Sequence, residues 1–181
     1  AELLPTVEAA VFDEAHQLVE TGLQFLGTLL STNQVIDFGR DLLAAGLTHA
    51  RGLADWQQVV GGLDKAAREL RLACAGPLRE VKGILKLRWD ERSREPAFGA
   101  ALAGLAAAAD AARDAVALVE GAAPDFTRLL ERAERIARLA NAFALPAATD
   151  RVRWIDLGPR DARLVDSPLH IRDLFTEQRA L

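Results

Sequence analysis

From Val35 to Phe143 the apolar residues recur every three or four positions, and this period constrains the fold more than any other feature of the chain. Val35, Phe38, Leu42 and Ala45 share one helical face, and Gly52 closes that segment. Asp55 stands three residues before Gln58 as an N-cap with a polar partner. A second face follows through Trp56, Val59, Val60, Leu63, Ala67, Leu70 and Cys74, until Gly76-Pro77 ends it. After the breaker Glu95-Pro96, an alanine-rich helix over 97–120 has Leu102, Leu105, Ala109, Ala112, Val116 and Val119 as its stripe. Gly121 stops it, and Pro124 opens another helix at the first-turn position that proline tolerates. Phe126, Leu129, Leu130, Ala133, Ile136, Ala137, Ala140 and Phe143 form its dry face, and Pro146 ends it. Its wet face carries Glu131, Arg132, Glu134, Arg135 and Arg138, with Glu131 spaced to pair with Arg135. Gly61-Gly62 lies inside the second helix, where it either bends the helix or admits a close neighbour.

The two ends read differently. Pro5 precedes a short apolar strand, Val7 to Phe12, and from Glu14 or Ala15 a helix is expected to about Leu30, with Leu18, Leu23, Phe25, Leu26, Leu29 and Leu30 on its stripe. Ser31 and Gln34 have capping-box spacing and restart the helical pattern. At the far end, residues 151–157 are β-rich, 158–161 read as a turn and 162–165 return, which makes a hairpin. Ser167-Pro168 reads as an N-cap and first helical residue, before a short helix with Ile171, Leu174 and Phe175. The expected fold is mainly α: a bundle of about five long helices with a short strand and a β-hairpin at the ends. A lone hairpin is marginal in water. The end strands are therefore expected to pair with each other or with a second copy, or to be poorly ordered.

The strand over 7–12 runs into Asp13-Glu14-Ala15-His16. Ligands of open α/β sheets bind just beyond the carboxyl ends of strands. An acid there can hold a nucleotide's magnesium ion, usually through water, and a second acid can orient or deprotonate the attacking water. In chemical terms this is a Walker B element, with Asp13 toward Mg-ATP and Glu14 catalytic. The plainer alternative has Asp13 capping a helix, Glu14 complementing its dipole and His16 exposed on the first turn.

The longer run Val11-Phe12-Asp13-Glu14-Ala15-His16-Gln17-Leu18 resembles motif II of DinG-like helicases, the bacterial relatives of the XPD family. Val152-Arg153-Trp154-Ile155-Asp156, Arg163-Leu164 and Ser167-Pro168-Leu169 resemble the segment these proteins carry before motif III. In that family a long helical insertion, the Arch domain, lies between the two motifs, and this chain has a long helical stretch in that place. The resemblance implies three parts: 1–30 as the Walker B strand and following helix of the first motor domain, 31–150 as the Arch-like insertion, and 151–181 as the hairpin and short helix returning to the motor. It implies a DEAH-type, superfamily 2 helicase that unwinds DNA with ATP and magnesium. Asp13 then binds Mg-ATP, Glu14 acts on the attacking water, and His16 couples the nucleotide site to the second motor domain. The partners implied are single-stranded or forked DNA and the remaining helicase domains. A non-enzymatic helical interaction module is the alternative.

No Gly-x-x-x-x-Gly-Lys-Ser/Thr phosphate loop and no methionine occur in the 181 residues, so the chain is expected to be a piece of a larger helicase, inactive alone. A net charge of −4 argues against coating nucleic acid by bulk charge but leaves room for a local basic groove. Such a groove is sought at Arg79, Lys82, Lys86 and Arg88, where Arg79, Lys82 and Lys86 would share a helix face and Trp89 would offer a surface for a stacked base. The plainer alternative there is a solvated face with Trp89 packed inward. No apolar run reaches the roughly 18 residues of a membrane span, and no secretion signal is present, so a cytoplasmic location without membrane partners is expected. Self-association remains open. Cys74 is the only cysteine and reads as a small core residue. An iron–sulfur cluster, which takes four thiolates, cannot be built within this chain. His16 and Glu20 have ligand spacing without a His-Glu-x-x-His motif, so magnesium at Asp13 is the metal expected.

Overall fold

The computed structural model describes residues 27–78 and 80–169. The expected strand over 7–12, most of the following helix and the closing helix lie outside the described residues. Within them the chain runs β1 (Thr28–Ser31), α1 (Thr32–His49), α2 (Trp56–Ala75), β2 (Leu85–Arg88), the one-turn α3 (Trp89–Arg92), α4 (Pro96–Ala117), α5 (Pro124–Ala144), β3 (Arg151–Leu157) and β4 (Ala162–Pro168). A 3-10 turn, Glu120–Ala122, joins α4 to α5. The architecture is mainly α, as the periodicity demands, with four long helices and one short one among the described residues.

The stripes read from sequence become the core. Val35, Phe38, Leu42, Trp56, Leu63, Leu70, Leu102, Leu105, Phe126 and Phe143 are all buried. Ala45, Val59, Val60 and Leu130 pack at its margin. In space α1 lies against α2, α2 against α4, and α4 against α5, while α1 closes back on α5. Asp55 caps α2 as expected, accepting from the Gln58 N–H at 2.9 Å. Gly46 fixes the α1–α2 corner: a Cβ there would come 2.4 Å from the Trp56 ring. The indole donates to the Ala50 carbonyl at 2.9 Å and stacks on Phe126 with centroids 6.0 Å apart. Gly61 and Gly62 face open space in an uninterrupted helix, so close approach is not their role. On α5 the ion pairs are Arg138–Glu134 and Arg132–Asp41 rather than Glu131–Arg135.

The hairpin is where it was expected, and it has company. β3 and β4 pair antiparallel from Arg151↔Pro168 to Leu157↔Ala162. They form the centre of a four-stranded sheet ordered β1-β4-β3-β2. Two expectations fall here. Residues 28–31 are a strand paired with β4, not the end of a helix. Ser167 and Pro168 extend β4 and start no helix. The strands that rescue the hairpin come from within the chain, at β1 and β2. Pleating sends Leu30, Leu164, Ile155, Leu157 and Ala162 to one face, and all five are buried in the core shared with the helices.

One buried ionic node joins sheet to bundle. Asp166 accepts from Arg151 and Arg153. Arg153 also donates to the carbonyls of Ala142, Phe143 and Leu145, satisfying the C-terminal end of α5. Its guanidinium lies 5.4 Å from the Trp89 ring and 5.2 Å from Phe143.

Candidate nucleic-acid interface

Asp13, Glu14, His16 and Arg79 lie outside the described residues. Lys82 is exposed in an irregular stretch before Gly83, 3.6 Å from Glu80. The shared helix face sought for Arg79, Lys82 and Lys86 does not form, because residues 85–88 are a strand paired with β3. Leu85-Lys86-Leu87-Arg88 alternates with period two, and that was the signal to follow. The alternation puts Lys86 and Arg88 together on one face of an edge strand. Opposite them across the ladder stand Asp156 and Trp154. Lys86 Nζ is 3.3 Å from Asp156 Oδ1 and 5.0 Å from the Trp154 ring. The Trp154 indole in turn donates to Asp156 at 3.1 Å. Among the described residues Arg88 reaches only the exposed Glu91, at 3.7 Å.

Trp89 is packed inward. Phe98 meets it edge-on at 5.3 Å, Phe143 at 5.7 Å, and Arg153 covers its ring. It anchors the turn out of β2 on the bundle.

A second basic assembly escaped the sequence reading. Arg40 of α1, Arg68 and Arg71 of α2 and Arg160 of the β3–β4 turn line one open cleft of about 650 Å³. Arg71 Nη2 donates to the carbonyls of Gly158 and Pro159, which pins the turn against α2. The turn's Asp161 does the capping expected of Ser31 and Gln34. It accepts from the Ser31 hydroxyl at 3.0 Å, the Thr32 hydroxyl at 2.9 Å and the Asn33 N–H at 3.1 Å. Asp64 bonds Arg68 at 2.7 Å. That hydrogen bond holds the Asp64 carboxyl below its ordinary range, with Arg40 contributing from the neighbouring helix. Arg68 and Arg71 share a face of α2 by their three-residue spacing, but only the fold brings Arg40 and Arg160 to them.

Cys74 is fully buried, and desolvation pushes its thiol up to about 12, outweighing the opposing Arg92 and Arg71 charges. It is inert at neutral pH. Among the described residues no group of His, Cys, Asp and Glu could hold a metal ion, and no helix is long and apolar enough to cross a membrane.

No family model matches the chain. Two curated proteins are similar to it, both called ATP-dependent DNA helicase YoaA. The one from Haemophilus influenzae is 27% identical over 180 residues, which is 98% of this chain and 27% of that protein. The one from Escherichia coli is 33% identical over 76 residues, 42% of this chain and 12% of that protein. The chain thus spans about a quarter of the length of the Haemophilus relative.

Proposed function

We propose that this chain is part of a DinG-like, XPD-related DNA helicase, carrying the acids of motif II and an Arch-like helical insertion over 31–150. One observation carries the reading. The Asp13-Glu14-Ala15-His16 tetrad, set behind an apolar run, occurs in a chain alignable over 98% of its length with part of an ATP-dependent DNA helicase. The whole protein would use ATP hydrolysis to unwind DNA, and ATP with magnesium supplies the phosphoryl group when bound. Asp13 offers the hard oxygen donor that magnesium prefers. Glu14 accepts a proton from, or orients, the attacking water. His16 links this site to the second motor domain. The helical part guides a single strand, with Arg79, Lys82, Lys86 and Arg88 as contacts.

The test is DNA-stimulated ATP hydrolysis by the whole protein. Removing a general base typically costs about 10²–10⁴-fold, so Glu14→Gln should reduce turnover and unwinding by that order while the protein stays folded. Undiminished turnover in Glu14→Gln would overturn the assignment. The 181 residues alone should not hydrolyse ATP.

A further inference from the structure

We propose that a linear polyanion, a single nucleic-acid strand held by its phosphates, follows a basic track from the β2 edge over the 158–161 turn into the cleft between α1 and α2. The inference rests on the helicase reading for its choice of ligand, but the track itself stands on geometry. The α1–α2 cleft of about 650 Å³ is continuous with a second of about 390 Å³, since Asn33, Pro159 and Arg160 line both. The second cleft reaches Ile84, Arg163 and Asp156, and Asp156 holds the ammonium of Lys86. Cations succeed one another along a path, Lys86, Arg163, Arg160, then Arg68 and Arg40, with Asp156 beside Lys86, Asp161 beside Arg163, Asp64 beside Arg68 and Asp37 beside Arg40. A compact anion would need one cluster. A succession along two joined clefts suits a chain of charges.

The guanidiniums have donors to spare. Arg40 spends one nitrogen on Asp37, at 3.0 Å, and its side chain is 74% exposed. Arg68 gives two nitrogens to Asp64 and is 67% exposed. Arg160 has no ion pair among the described residues and is exposed. A guanidinium presents five N–H groups in a fork that matches phosphate oxygens. Asp37 and Asp64 offset part of the charge of the main cleft, whose four arginines outnumber them, while Asp156 and Asp161 balance Arg160 and Arg163 in the second cleft. Among the described residues no aromatic side chain lines either cleft; the apolar walls are Ile36, Ala67, Leu72, Pro159 and Ile84. The clefts therefore read phosphates and carry little sequence preference, and Trp154, under Lys86, stands only at the β2 end of the track. The Asn33 N–H in the first turn of α1 is not a donor for the strand, because Asp161 already takes it. Arg71 is a positioning residue, holding the turn that presents Arg160.

The experiment is binding of a dye-labelled oligo-dT strand to this chain, followed by fluorescence anisotropy over a salt series. Arg40→Glu with Arg160→Glu reverses two exposed charges on the track. Arg128→Glu with Arg135→Glu makes the same charge change on the exposed side of α5. The track variant should bind about tenfold or more weakly, because sequence-independent binding is carried by phosphate neutralisation. Its salt dependence should be shallower by about one per lost contact. The α5 variant should keep the native salt dependence and most of the affinity, and circular dichroism should match for all three proteins. Equal losses in the two variants would overturn the track, as would a native chain that binds no oligo-dT at low salt. Displacement by polyglutamate as effective as by unlabelled strand would assign the track to acidic protein instead and overturn the phosphate claim. None of these outcomes depends on ATP hydrolysis, so failure of the track and failure of the helicase reading are told apart by Glu14→Gln.

Discussion

Asp166 is the residue on which most depends. Its side chain is 9% exposed and that of Arg153 is 7%, and both arginines at Asp166 lose their counter-charge if it is removed. Breaking a buried pair from one side costs about 3–5 kcal/mol, whereas an exposed pair is worth about 0–1 kcal/mol. Asp166→Ala should therefore shift the urea midpoint strongly, and Asp37→Ala, which frees only the exposed Arg40, should hardly move it. Similar shifts in the two would mean that the node is not the tie between sheet and bundle. Cys74 gives a pH signature. Its folded pKa of about 12 lies above the ordinary value of 9.0, so above pH 9.0 the unfolded chain releases a proton that the folded one keeps. The stability tied to this group is whole below pH 9.0 and is lost as pH rises towards about 12. Urea titrations at pH 8 and pH 10 should show a larger loss for the native protein than for Cys74→Ala. A maleimide should label native Cys74 only as fast as the protein unfolds.

At the scale of elements, two glycines with the same helix propensity have opposite roles. A side chain at Gly46 would run into the Trp56 ring, whereas one at Gly61 would meet nothing within 4 Å. Gly61→Ala should stabilise by about 1 kcal/mol through propensity. Gly46→Ala gains the same term but overpacks the corner, which costs about 1–3 kcal/mol, so it should be neutral to destabilising. Thermal melts ranking Gly46→Ala above Gly61→Ala would contradict this account of the α1–α2 corner. The long helices were legible because each carries its own evidence: an apolar period, a capping Asp55, and Pro96 or Pro124 at a start. β1 and β2 were not. Each has four residues: in β2 the alternation of Leu85-Lys86-Leu87-Arg88 is a faint signal beside the helical spacing of Arg79, Lys82 and Lys86, and in β1 Leu29 and Leu30 fit a helical stripe as well as a strand. Pairing with β4 and β3 decided the matter.

The whole molecule is tied by contacts distant in sequence. β1 and β4 are separated by the entire bundle, and Asp161 caps a helix that begins about 130 residues earlier. Such a fold should unfold as one unit. Helix content by circular dichroism and tryptophan fluorescence should give the same midpoint, since Trp56 reports on the bundle and Trp154 on the sheet. Two separated transitions would mean that the sheet melts by itself. The same distant contacts bring Arg40, Arg68, Arg71 and Arg160 to one cleft, which is how a chain of net charge −4 presents a local basic surface.

The sequence by itself determined the long helices, their buried stripes, the hairpin and the acidic tetrad at 13–16, because each is written in residues close together along the chain. The tertiary structure alone decided the partners of the hairpin, the cap on α1 and the meeting of Arg40, Arg68, Arg71 and Arg160. Helical hydrogen bonds close within four residues, so local pattern specifies them. Strand pairs and charged clefts are closed by segments as distant in sequence as Ser31 and Arg163, and their geometry exists only once the core has brought those segments together.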